Sequence, residues 1–203
     1  MESDWNVAAG ADDPVIETHW ADAASGLVWV DLRVEEELQR SRIAALPEIA
    51  GSHAMARALA LLNAPDGLLL TTKCDRWRMS EAELAELADL LYVSSAPCGY
   101  GSYIDVLMAH SVPMTDFLVH EEWARTATRR CTAFDVGGAR VEMVVRPAQQ
   151  GRIWGFGMSV YCYACGADEA LAAAAWGEVL DITIPSVIEA AEVLLPSPDE
   201  IDR

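Results

Sequence analysis

Lysine is nearly missing from this chain. Among 203 residues it occurs once, at Lys73, against thirteen arginines, and these 14 bases face 32 acids for a formal net charge of −18. Such a balance argues against nucleic acid or an anionic membrane as the main partner, because phosphate binding depends on positive charge. Long apolar runs are lacking too. Stretches such as 68–70 or 170–176 are too short to cross a bilayer. The segment from Met1 to Ala11 has no basic start followed by an apolar core, so no signal peptide is expected. A cytoplasmic location with reduced thiols is the expectation for the five cysteines.

Motifs for metal or nucleophilic chemistry are scarce. His120-Glu121-Glu122 lacks the second histidine that a helical zinc protease motif needs, and His19, His53 and His110 stand apart. The one CxxC, Cys162 and Cys165, has no second pair to complete a tetrahedral zinc site. Within a continuous strand, residues three apart also face opposite sides, so Cys162 reads as a core cysteine. Neither a metal nor a cofactor is expected. Gly155 and Gly157 resemble a phosphate loop only in letters. On a strand they would allow a bulge, or let an aromatic ring lie across the backbone.

What the chain does contain is a globular composition, 52% hydrophobic and 23% charged, that suits one domain over 1–203. Its charge is distributed as acid, base, acid. The first 37 residues hold ten acids and one arginine, and the last 37 hold nine acids and one arginine. Between them, residues 125–152 carry six arginines against Asp135 and Glu142. Residues 1–25 and the tail 196–203 are expected to be irregular.

Several elements are legible. Leu27 to Leu32 reads as a first strand, and 35–50 as a helix broken near Pro47. Ser52 caps a helix to about Asn63, and a turn at 64–67 leads into a strand at Leu68 to Thr72. Ser80 with Glu83 forms a capping box. Residues 96–101 read as a loop, and Ser102 with Asp105 repeats the capping pattern before a further helix. Pro113 then interrupts, and a helix follows over about 115–130. Gly137-Gly138 reads as a hairpin turn between strands 132–136 and 140–147, and Gly151 as a second turn into a strand at 152–163. Asp168 opens a helix, and a last one follows Pro185 with Val187, Ile188, Ala191 and Leu195 on one side. These elements give an α+β fold: a mostly antiparallel sheet with a C-terminal meander, covered on one side by helices.

Four residues stand out as candidates for ligand binding. Lys73 and Asp75 follow the second strand, a position where functional side chains are often presented. Strand alternation places Arg140, Glu142, Val144 and Arg146 on one face, with Val141, Met143 and Val145 on the other. Pairing of Arg140 and Arg146 with acids of the same chain is the expected state. No residue can be named catalytic. The chain reads as a non-catalytic interaction or accessory protein with a protein or small-molecule partner. The alternative is a thiol- or metal-dependent enzyme using the Cys162/Cys165 pair.

Overall fold

A computed structural model describes residues 1–22, 26–91, 96–110 and 114–195. The strands are β1 (Glu2–Val7), β2 (Ile16–Thr18), β3 (Ala21–Asp22), β4 (Leu27–Val28), β5 (Leu69–Arg78), β6 (Cys98–Met108), β7 (Ala139–Gln150) and β8 (Ile153–Gly166). The described helices are α1 (Glu36–Ala44), α2 (His53–Leu62), α3 (Glu81–Leu90), α4 (Phe117–Thr132) and α5 (Glu169–Leu194), with a 3-10 turn at Pro47–Ile49.

Main-sheet order is β1-β7-β8-β6-β5. β2 also pairs with β7, so β1 and β2 act as one broken edge strand, parallel to β7. The other ladders in this sheet are antiparallel. The fold is therefore α+β with a mostly antiparallel sheet, as the sequence indicates, but five elements differ from the sequence reading. Leu27 to Arg33 does not join the sheet; only Leu27–Val28 is strand, in a two-stranded ribbon with β3. Residues 132–136 are the end of α4 and the loop after it, so Gly137-Gly138 links a helix to a strand. The third strand of the antiparallel set is β6, in the stretch read as loop and helix. Its alternation of Ile104 and Val106 with Tyr103 and Asp105 matches a sheet face on each side and overrides the capping pattern at Ser102.

The acidic N-terminal segment is not irregular: Glu2–Val7 pairs residue for residue with 140–145. Helices α2, α4 and α5 bury one face of the sheet, where Met55, Leu59, Val141, Met143, Met158, Val160, Cys162 and Val187 form the main core. Pro185 does not divide the last helix. α5 runs 26 residues through it, and the Ser186 hydroxyl donates to the Ile182 carbonyl one turn back. By length and composition α5 could cross a membrane. Its apolar side, however, packs within the domain: Trp176 donates from Nε1 to Ser102 Oγ, and Trp123 of α4 donates to the Val187 carbonyl. Residue 113 and the tail 196–203 lie outside the described residues.

Candidate functional site

On the opposite face of the sheet most side chains are polar or aromatic, with Val144 buried among them. α3 covers one end, where Leu84 and Leu87 pack on Met79 and Cys165. Elsewhere no helix among the described residues covers it, and Asp105, Ser159 and Val144 are buried there. Pairing between strands determines what it presents. Asp105 lies opposite Ser159, Tyr103 opposite Tyr161 and Gly101 opposite Tyr163. On the next strand Arg140 lies opposite Tyr163, Glu142 opposite Tyr161 and Val144 opposite Ser159. Directly paired residues share a face, so the face expected for Arg140, Glu142, Val144 and Arg146 is the one that forms.

Asp105 is the most informative residue. It is 9% exposed, and among the described residues the only hydrogen bond to its carboxylate is from Ser159 Oγ, at 2.5 Å. Burial raises its pKa, opposed by the Ser159 hydrogen bond and by the charges of Arg146 and Lys73. Ser159 in turn accepts from Arg146 Nε at 3.1 Å, and Arg146 Nη2 donates to Tyr161 Oη at 3.3 Å. The result is a chain of contacts across three strands, from Asp105 through Ser159 and Arg146 to Tyr161. Desolvation also lifts the Tyr103 phenol to about 12, with Asp105 and Asp75 adding to the shift.

A cleft of about 210 Å³ opens over this chain, with Lys73, Tyr103 and Tyr161 around it and Pro14, Val15 and Ile16 along its rim. A larger cleft of about 460 Å³ lies beside it and shares Lys73 and Tyr103. That second cleft has an apolar wall of Val28, Val30, Leu32 and Leu46, with Glu48, Cys74 and Asp75 on its polar side. Trp20 stands on its margin. Trp20 and Trp29 donate their indole N–H to the carbonyls of Thr72 and Thr71, which caps part of the free edge of β5. Lys73 lies 5.4 Å from the Trp20 ring centre.

Comparison with protein-family models, curated proteins and solved structures finds no match.

The four candidate ligand-binding residues separate into two groups. Lys73 and Arg146 meet at the smaller cleft, and Asp75 lies on the larger one. Arg140 is elsewhere, beside Glu83, Glu86 and Glu142 near α3. There its guanidinium binds Asp4 Oδ2 at 2.7 Å. Internal pairing thus holds for Arg140, whereas among the described residues Arg146 makes no ion pair and bonds to hydroxyls. Tyr103, Asp105, Ser159 and Tyr161 were not singled out from sequence. Period-two alternation of Ser159, Tyr161 and Tyr163 with Met158, Val160 and Cys162 was the available signal.

Cys162 points into the helix-covered core and Cys165 into the cluster under α3, so the two thiols do not converge. Burial raises the Cys162 thiol to about 12, and raises Cys74 to about 12 with Glu48 and Asp75 adding repulsion. Cys131 and Cys165 are raised by burial as well. Thiols held protonated are poor nucleophiles and poor metal ligands. Among the described residues no group of three or more His, Cys, Asp or Glu side chains converges as a metal site. Gly155 and Gly157 do not lie under aromatic rings. A Cβ at Gly155 would meet the Met114 carbonyl, whereas the glycine beneath an aromatic ring is Gly101, under Trp77.

Proposed function

We propose that this protein is a non-catalytic interaction protein and that the open face of its sheet is the recognition surface. The observation that carries this reading is the composition of that face. Tyr103, Tyr161, Tyr163 and Trp77 form a half-buried aromatic row beside Arg146, on the side of the sheet away from α2, α4 and α5. Tyrosine, tryptophan and arginine are the side chains that interfaces concentrate, because each offers a large rigid contact area with a polar end. Tyr161 and Tyr163 stack with their rings 5° from parallel, a flat pair for a partner to pack on. The raised pKa values of Cys162 and Cys165 weigh against the thiol-enzyme alternative built on that pair.

The test is site-specific photo-crosslinking in a lysate of the native host. A photoreactive residue at position 161 is expected to give a discrete covalent adduct. The same residue at 129, exposed on α4, is expected to give none. Adducts of equal yield at both positions, or none at 161, would overturn the assignment.

A further inference from the structure

Four adjacent strands each send a polar side chain to the smaller cleft: Lys73 from β5, Asp105 from β6, Ser159 from β8 and Arg146 from β7. None of the ion pairs among the described residues includes Asp105, Lys73 or Arg146. In a chain with 32 acids and 14 bases, Arg146 makes no direct ion pair among the described residues and reaches Asp105 only through Ser159, and the chain's one lysine flanks the same space. Arg146 has committed Nε and Nη2 to neutral hydroxyls, which leaves Nη1 as a free donor among the described residues. Tyr161 Oη accepts from that arginine and so keeps its own proton to donate.

The lining itself carries two positive charges and one carboxylate, within a molecule of net −18, with Asp75 and Glu142 one place further out opposite Tyr103 and Tyr161. A cationic ligand would meet Lys73 and Arg146. A dianion would be pressed against Asp105. A single carboxylate is the anion whose charge matches, and its two oxygens suit the fork of a guanidinium. Asp105, which spends one hydrogen bond on Ser159, then calls for a donor next to that carboxylate. Resting on the reading of this face as a recognition surface, we propose that the cleft binds a monocarboxylate with a neighbouring N–H, the carboxylate on Arg146 and Lys73 and the N–H on Asp105. The end of a polypeptide and a free N-acylated amino acid both carry this chemistry. A volume of about 210 Å³ admits one small residue of either.

N-acetylglycine, N-acetylglycinamide and the tetrapeptide Gly-Gly-Gly-Gly with a free C-terminus serve as probes, read by amide chemical shifts of the 15N-labelled protein. N-acetylglycine is expected to shift the Ser159 and Tyr161 resonances saturably, and N-acetylglycinamide, which lacks the carboxylate, to leave them in place. Arg146→Ala should weaken N-acetylglycine at least tenfold and Arg129→Ala should not change it. Lys73→Ala, at an exposed position where folding is not in question, should weaken it at least threefold. A tetrapeptide bound tenfold tighter than N-acetylglycine identifies a chain terminus as the source, and equal affinities identify a free acid. Equal shifts from acid and amide, or no saturation by 50 mM N-acetylglycine, would overturn the site. In that event an adduct retained at position 161 would show the recognition surface to stand without this chemistry, whereas its loss would remove both.

Discussion

Asp105 is an ionisable group whose folded environment works against its charge. Burial raises its pKa above the ordinary carboxylate value, so the folded state holds this proton more tightly than the unfolded chain. The sign follows: above both pKa values the ionised group lowers stability, and that penalty disappears as pH falls through the folded pKa. Asp105→Asn should therefore stabilise the protein at neutral pH by about 1 kcal/mol, the scale of one buried polar group, in urea denaturation. The gap to wild type should close in acid. A loss of stability would show that the Ser159 and Arg146 contacts outweigh desolvation. His120 has the opposite sign. It is buried beside Trp123 and Phe156, and desolvation lowers its pKa below 6.5. The stability it contributes is present above 6.5 and is lost as pH falls from there through the folded value. Measured at pH 7.5 and 5.5, wild type should lose more stability than His120→Gln; equal losses would place the titration elsewhere.

Among the elements, β8 makes the most specific packing demand. A Cβ at Gly155 would clash with the Met114 carbonyl oxygen, a backbone atom rather than the end of a flexible side chain. Gly155→Ala should destabilise by about 1–3 kcal/mol, the usual effect of overpacking. An unchanged urea midpoint would mean that the segment at Met114 yields. Most helices were legible from sequence because their ends carry local chemistry: Ser52, Ser80 and Asp168 all cap as their spacing suggests. β6 was not, since Ser102 and Asp105 imitate a cap and only pairing on both sides makes the segment a strand. That misreading also hid the site, because Tyr103 and Asp105 acquire their meaning from the residues opposite them. β1 gave no signal at all. A parallel partner 138 positions away leaves no trace in six residues. Arg140 and Arg146 were placed on the correct face by alternation alone, but which one pairs with an acid depends on Asp4 arriving beside the first.

At the scale of the whole molecule, a net charge of −18 sets a field that individual ion pairs only locally offset. The Arg140–Asp4 and Arg57–Asp181 pairs lie at the surface, where each contributes about 0–1 kcal/mol. Arg140→Ala should accordingly shift the urea midpoint only slightly. Raising salt from about 0.05 to 0.5 M shortens the screening length severalfold. The melting temperature should rise if self-repulsion dominates; a fall would show that the pairs matter more than the net charge. Removing the residues after Leu180 strips Ile184, Val187 and Ala191 from the core and Val187 from the Trp123 indole, and should abolish cooperative unfolding. A truncated chain with an unchanged melting transition would contradict the docking of this helix.

The parallel pairing of β1 with β7 has a consequence for synthesis. Made well before its partner, β1 must wait for residues 140–145 before its edge is satisfied. At about 5–20 residues per second, that interval is roughly 7 to 27 s on the ribosome. Until then Glu2 and Asp4 travel unpaired on a nascent chain. Their charge offers a physical reason why the waiting strand does not seek a neighbour's edge instead.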